Sequence, residues 1–140
     1  MTLVEYLEQY RAIQRKIKRL EDRLEIERTR AERTTKALSF IPKEPGYRDD
    51  GLLARLADTG LMYKKKYNAA LRLQREIEDF IEAIPDALSQ QVLRMRFIDL
   101  LKWEEIADAL SYSLRQTMRL YVKALESAGE IWNMEGETQW

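Results

Sequence analysis

The chain has 140 residues, enough for one domain or for a small domain with an extended arm, and its 24 Lys plus Arg balance its 24 Asp plus Glu. It holds no cysteine and no histidine, which removes disulfides, thiolate metal sites, cysteine nucleophiles and the usual general base near neutral pH. No glycine-rich phosphate loop is present, so no enzyme, no cofactor and no metal are expected. The zero net charge also excludes a protein that coats nucleic acid by bulk positive charge, and any DNA contact must come from local placement.

Apolar residues make up 45% and charged residues 34%, a mix that suits helices with broad exposed faces. No apolar run is long enough to span a bilayer, and Met1-Thr2-Leu3-Val4 runs straight into Glu5 with no signal-peptide pattern. The expectation is a soluble, cytoplasmic protein with no membrane partner.

Residues 3–38 read as one long helix. Leu3, Tyr6, Tyr10, Ile13, Ile17, Leu20 and Leu24 recur at alternating steps of three and four, a coiled-coil-like stripe. Continued, the register meets Glu27, Ala31, Thr34 and Leu38, so the stripe weakens after Leu24. Thr2 and Glu5 are spaced as a capping box at the helix start. The segment Ser39–Asp50, with Pro42, Pro45 and Gly46, is a break, and Phe40, Ile41 and Tyr47 make it apolar enough to pack. A second long helix follows over about 51–84, with a stripe of Leu53, Leu56, Tyr63, Tyr67, Ala70, Ile77, Ile81 and Ile84. Two long amphipathic helices joined by one loop predict an antiparallel hairpin. Such a hairpin buries apolar surface on one side only, which predicts a homodimer without saying which helix forms the interface.

Pro85 suits the start of a new helix, expected from near Asp86 to about Phe97. Two short helices are expected after it, over about 103–110 and 114–126. Ile106 and Leu110 face inward on the first. Ala107 is small enough to let the second cross close by. On the second, Thr117, Leu120, Ala124 and Leu125 face inward, and Ser113 with Gln116 makes an N-terminal capping box. The 3.6-residue period then presents Leu114, Arg115, Gln116, Met118, Arg119 and Lys123 outward. Arg and Gln are the side chains that read guanine and adenine edges in the major groove, and the first turns of a recognition helix are where base contacts lie. Residues 127–140, with Glu130, Glu135 and Glu137 and no basic residue, read as an acidic tail, with Ile131 and Trp132 as its docking candidates.

"VLRMRF" (Val92 to Phe97), "WEEIADAL" (Trp103 to Leu110) and "SYSLRQTMRLYVKALE" (Ser111 to Glu126) resemble, in order, the three helices of region 4 of sigma-70-type factors. The version here is more similar still to small phage transcriptional regulators of the ArpU and RinA kind, which join a long helical N-terminal part to a sigma-like end. The resemblance covers about residues 84–126. It implies a regulator of phage or prophage late genes that binds promoter DNA through Leu114, Arg115, Gln116, Met118 and Arg119. Four positions depart from the usual pattern. Lys102 stands where Ser or Thr is common, Ser111 where glycine often lies, and Leu114 and Met118 are apolar where polar readers are common. Apolar readers suit thymine methyls or a protein partner.

The expected architecture is therefore all-α: a helical-hairpin oligomerisation arm over 1–84, a three-helix helix-turn-helix domain over 85–126 and an acidic tail over 127–140. The expected partner is double-stranded DNA, bound by a homodimer. Two alternatives compete: an interaction module that contacts RNA polymerase, and a small terminase-like DNA-packaging protein.

Overall fold

A computed structural model describes residues 1–39 and 50–138. Among these the chain is all-α, with five helices: α1 (Leu3–Ser39), α2 (Asp50–Glu82), α3 (Ala87–Phe97), α4 (Trp103–Leu110) and α5 (Leu114–Thr138). The break expected around Phe40, Ile41 and Tyr47 lies outside the described residues. The chain forms two compact units, one of Met1–Ala12 with Leu71–Trp140 and one of Ile13–Ala70.

In the unit of residues 13–70, α1 and α2 run antiparallel. Thr59 Oγ1 donates to Glu27 Oε1 at 3.2 Å, and Tyr63 Oη donates to Glu21 Oε1 at 3.1 Å, so the numbers run in opposite directions. Ile17, Leu24 and Ala70 are buried between them. Glu27, where the heptad register continues past Leu24, is only 7% exposed. Its Oε1 also accepts from Arg23 Nε at 3.1 Å, and its Oε2 is buried without a partner among the described residues. The hairpin seam thus passes through a polar layer, Glu27 against Thr59.

Two expected members of the α2 stripe lie elsewhere. Leu53 and Tyr67 are exposed, while Leu56, Thr59, Tyr63 and Ala70 line the seam or its edges. The reason is angular: at 100° per residue, Leu53 and Tyr67 fall about 40° apart on one side of the seam, roughly 90° and 50° from its centre. Ala57, Gly60 and Lys64 share their line, and a Cβ added to Gly60 would meet nothing within 4 Å.

The other unit is built on a core of Leu7, Ile77, Ile81, Ile84, Val92, Leu93, Phe97 and Ile106, all almost fully buried. Leu7 was not in the expected stripe, yet it is completely enclosed. Tyr10 Oη donates to Gln74 Oε1 at 3.4 Å, again with α1 and α2 antiparallel. The expected helix end near residue 126 is absent, because α5 continues to Thr138. Trp132 holds it down: its ring centroid lies 5.0 Å from Tyr6 and 6.1 Å, edge-on, from Phe80, which themselves meet at 5.9 Å. Gly129 lies one turn earlier with open space around it.

Asp86 caps α3. Its carboxylate accepts from the Ser89 hydroxyl at 2.7 Å and from the Ser89 backbone N–H at 3.2 Å. The Ser89 hydroxyl holds the Asp86 pKa below its ordinary 3.8; desolvation opposes this, and Lys123 adds a smaller favourable charge. A carboxyl depressed by folding adds stability above its unfolded value and gives it up as pH falls through the folded one. Asp86→Asn keeps an acceptor oxygen but no charge. It is expected to melt below the parent at about pH 6, with the gap narrowing by about pH 3. A gap that stays constant across that range in thermal melts counts against the charge contribution.

Candidate nucleic-acid interface

Helices α3, α4 and α5 pack on one another. Ile106 and Ala107 of α4 are buried, as are Thr117 and Ala124 of α5, as the inward faces require. The Trp103 ring meets the Tyr121 ring at 4.6 Å, and Phe97 lies 6.3 Å from Tyr121 on the other side. Burial pushes the Tyr121 phenol pKa up, so it stays neutral in this packing. Arg96 places its guanidinium 4.5 Å over Trp103 and donates to the Leu101 carbonyl at 3.2 Å. Arg96 is therefore a packing residue, although its charge alone would suit DNA.

The turn between α4 and α5 explains how a serine replaces the usual glycine. Ser111 adopts the left-handed conformation, φ 58° and ψ 38°. The Ser111 N–H donates to the Asp108 carbonyl at 3.2 Å and the Tyr112 N–H to the Ala107 carbonyl at 3.0 Å. That pair of bonds is the Schellman closure of a helix end. Two bonds offset the steric cost of a Cβ at positive φ. At the start of α4, the Lys102 backbone N–H donates to Glu105 Oε1 at 3.3 Å, which is one of the two bonds of a capping box; the lysine side chain has no acceptor for the other.

The next helix starts on a complete capping box. The Ser113 N–H donates to Gln116 Oε1 at 3.0 Å, and the Gln116 N–H donates to Ser113 Oγ at 3.1 Å. Gln116 therefore has its carbonyl oxygen committed, and the bidentate grip on adenine needs that oxygen together with the amide. Of the six outward residues expected, the structure brings four together, Leu114, Arg115, Met118 and Arg119, on one open surface with Val122. Lys123 is exposed as well, on the flank that faces Asp86 of the α3 cap. Val122 was missed by the sequence reading. The signal was its place four residues after Met118, continuing the row that Leu114 begins.

Exposure matters for the apolar members of this row. Leu114 is 48% exposed, Met118 38% and Val122 53%. From Leu114 to Leu125 the helix holds three basic residues and no carboxylate. The face is thus apolar and cationic together, set at a helix N-terminus that carries positive partial charge.

The arm offers a second basic surface, lined by Arg19, Arg23, Arg30 and Arg55 with Asp22 and Glu27. Arg23 is tied to Glu27 there, and the two carboxylates offset half of the positive charge. The face of α5 carries no such compensation.

A family described as "Protein of unknown function (DUF1492)" matches residues 48–129. The chain belongs to this family. The DUF1492 stretch covers more than half of the chain and takes in α2, α3, α4 and the first part of α5, including the whole helix-turn-helix, Ser111 to Gln116 and the exposed row. Helix α1 and Trp132 fall outside it. No curated protein and no solved structure matched the chain.

Proposed function

We propose that this DUF1492 protein is a sequence-specific DNA-binding transcriptional regulator of phage or prophage late genes, acting as a homodimer. The observation that carries the reading is the outward face of α5, where Arg115 and Arg119 stand one turn apart on a stretch, Leu114 to Leu125, that holds no carboxylate and follows a tight turn. A recognition helix needs that geometry to enter a major groove. The likeness to sigma region 4 and to ArpU- and RinA-type regulators supplies the phage setting.

The test is direct. The full chain is titrated against duplex DNA from upstream of its own gene cluster and against scrambled duplex, at several salt concentrations. Removing a base-reading arginine by Arg115→Ala or Arg119→Ala is expected to cost about tenfold or more on the specific site, equivalent to roughly 1–3 kcal/mol, and to relax preference at one position. Removing a phosphate contact instead weakens both duplexes alike and reduces the salt slope by about one. Parent-like binding by both variants sinks the reading.

One observation favours a second reading, contact with RNA polymerase. Leu114, Met118 and Val122 are apolar and open, as a protein contact requires. In that case their substitution removes activity while Arg115→Ala leaves DNA affinity unchanged.

The dimer reading rests on the outer line of α2. Leu53 and Tyr67 are exposed on one line with the small residues Ala57 and Gly60 between them. Ala57 and Gly60 leave room on this line, beside Lys64, for a second copy running antiparallel to set its Tyr67 over Ala57. Sedimentation of the full chain at tens of micromolar, on the order of weak-dimer affinities, is expected to give a dimer. The double variant Leu53→Glu, Tyr67→Glu is expected to sediment as a folded monomer. A variant that still dimerises places the interface elsewhere.

A further inference from the structure

We propose that the exposed row on α5 reads the methyl groups of thymine, so that Leu114 and Met118 are specificity-determining residues and the preferred site holds a short thymine-containing block. This rests on the DNA-binding reading above and adds to it the kind of base recognised.

The argument begins with what the row lacks. Leu114, Met118 and Val122 offer no donor and no acceptor, so they give nothing to the O6 and N7 of guanine or to the amino groups of adenine and cytosine. Beside such a group an apolar side chain displaces water and leaves a polar atom unpaired, which is unfavourable. The one apolar group that base pairs present in the major groove is the C5-methyl of thymine. An apolar reader therefore gains against thymine and loses against cytosine, whose ring is otherwise similar but carries an amino group and no methyl.

Spacing fits as well. Leu114 and Met118 are one turn apart, about 6 Å along the axis at 1.5 Å per residue. Base pairs succeed one another at about 3.4 Å, so the two side chains reach bases about two steps apart. Arg115 and Arg119 follow each by one residue, and the 100° period sets them nearly opposite the buried Thr117 and Ala124. They suit a guanine edge or a phosphate beside the methyls. Charge selects DNA over an apolar protein surface as the occupant: three cations and no carboxylate between Leu114 and Leu125 complement phosphates.

The experiment uses the full chain and a random duplex library. Repeated selection for bound duplexes is expected to enrich sites with two or more thymines within a few base pairs. Each enriched site is then resynthesised with deoxyuridine in place of one thymine at a time, which removes only the methyl. At the contacted positions, affinity is expected to fall about three- to fivefold, as the loss of one buried methyl-sized group implies. Leu114→Ala is expected to abolish the thymine-to-uracil difference at one position, and Met118→Ala at another, with the salt dependence unchanged. Equal affinity for thymine and uracil at every enriched position overturns the methyl-reading inference while leaving DNA recognition intact. Retention of the full difference by both alanine variants overturns the assignment to these residues. Failure to enrich any sequence overturns the DNA reading itself.

Discussion

Trp132→Ala is expected to destabilise the unit that holds the helix-turn-helix by about 2–4 kcal/mol. The tryptophan lies 18 residues after the start of α5, in a stretch whose other charges are acidic, yet its ring closes a three-ring cluster with Tyr6 and Phe80. Those rings come from three helices, so one truncation removes contacts to the first turns of α1 and the last turns of α2 together. Aromatic pairs in edge-on and tilted arrangements add to the area term. Urea unfolding followed by circular dichroism reads the effect as a lower midpoint with an unchanged slope. A midpoint equal to the parent's would mean that the last turns of α5 contribute nothing to this unit.

The second large effect has opposite signs for one substitution and for two. Thr59→Val alone is expected to destabilise the arm by about 1–3 kcal/mol, since it takes a donor from the buried Glu27 carboxylate and leaves the charge in place. Glu27→Leu combined with Thr59→Val is expected to stabilise the arm above the parent by about 1–4 kcal/mol, because an apolar pair of similar volume avoids desolvating the carboxylate. The orphaned Oε2 makes this gain larger than for a fully satisfied pair. Thermal melts of parent, single and double variants decide it. A double variant less stable than the parent would show that the polar layer is net favourable. If the double variant also broadens in sedimentation, the layer's role is to fix the register of the hairpin, as single polar residues do in coiled coils.

The local signals in the sequence were legible because each involves neighbours along the chain. Ser113 with Gln116, and the Pro85 boundary ahead of α3, are short-range rules of hydrogen bonding and φ, and the structure follows them. The inward faces of α4 and α5 followed from helical period alone. What escaped depends on distant partners. Leu7 is buried although it sits one step off the heptad line, since α1 has to satisfy α2 and the rest of its unit at once. Trp132 was a docking candidate by residue type, but its partners Tyr6 and Phe80 lie far away in the sequence, and nothing within residues 127–140 names them. Leu53 and Tyr67 carried the right residue types for a seam but lie on a second line, which a count of apolar spacings does not separate from the first. At the candidate site, Leu114 and Met118 were in the outward set, but Val122, four residues further along the same row, was not. Gln116 shows the reverse, a residue that fits base reading by type but whose carbonyl oxygen is used by the cap.

Helix α5 joins two unlike tasks in one rod. Its first turns, Leu114 to Val122, hold the open row and its later part is bedded by Trp132, with no loop between. Leu114 and Trp132 are about 27 Å apart along a straight helix. The aromatic bed is one support of this rod and the α3 and α4 packing at Thr117 and Ala124 the other, so the bed acts as a fulcrum for any tilt that this packing allows. A tilt of about 5° at the fulcrum sweeps the tip through roughly 2 Å over that length, more than half of the 3.4 Å step between base pairs. Gly129 lies one turn from the fulcrum, and a Cβ added there would meet nothing within 4 Å. The aim of the outward face is thereby set twice, by the α3 and α4 packing around Thr117 and Ala124 and by how well a tyrosine, a phenylalanine and a tryptophan grip one another far from it.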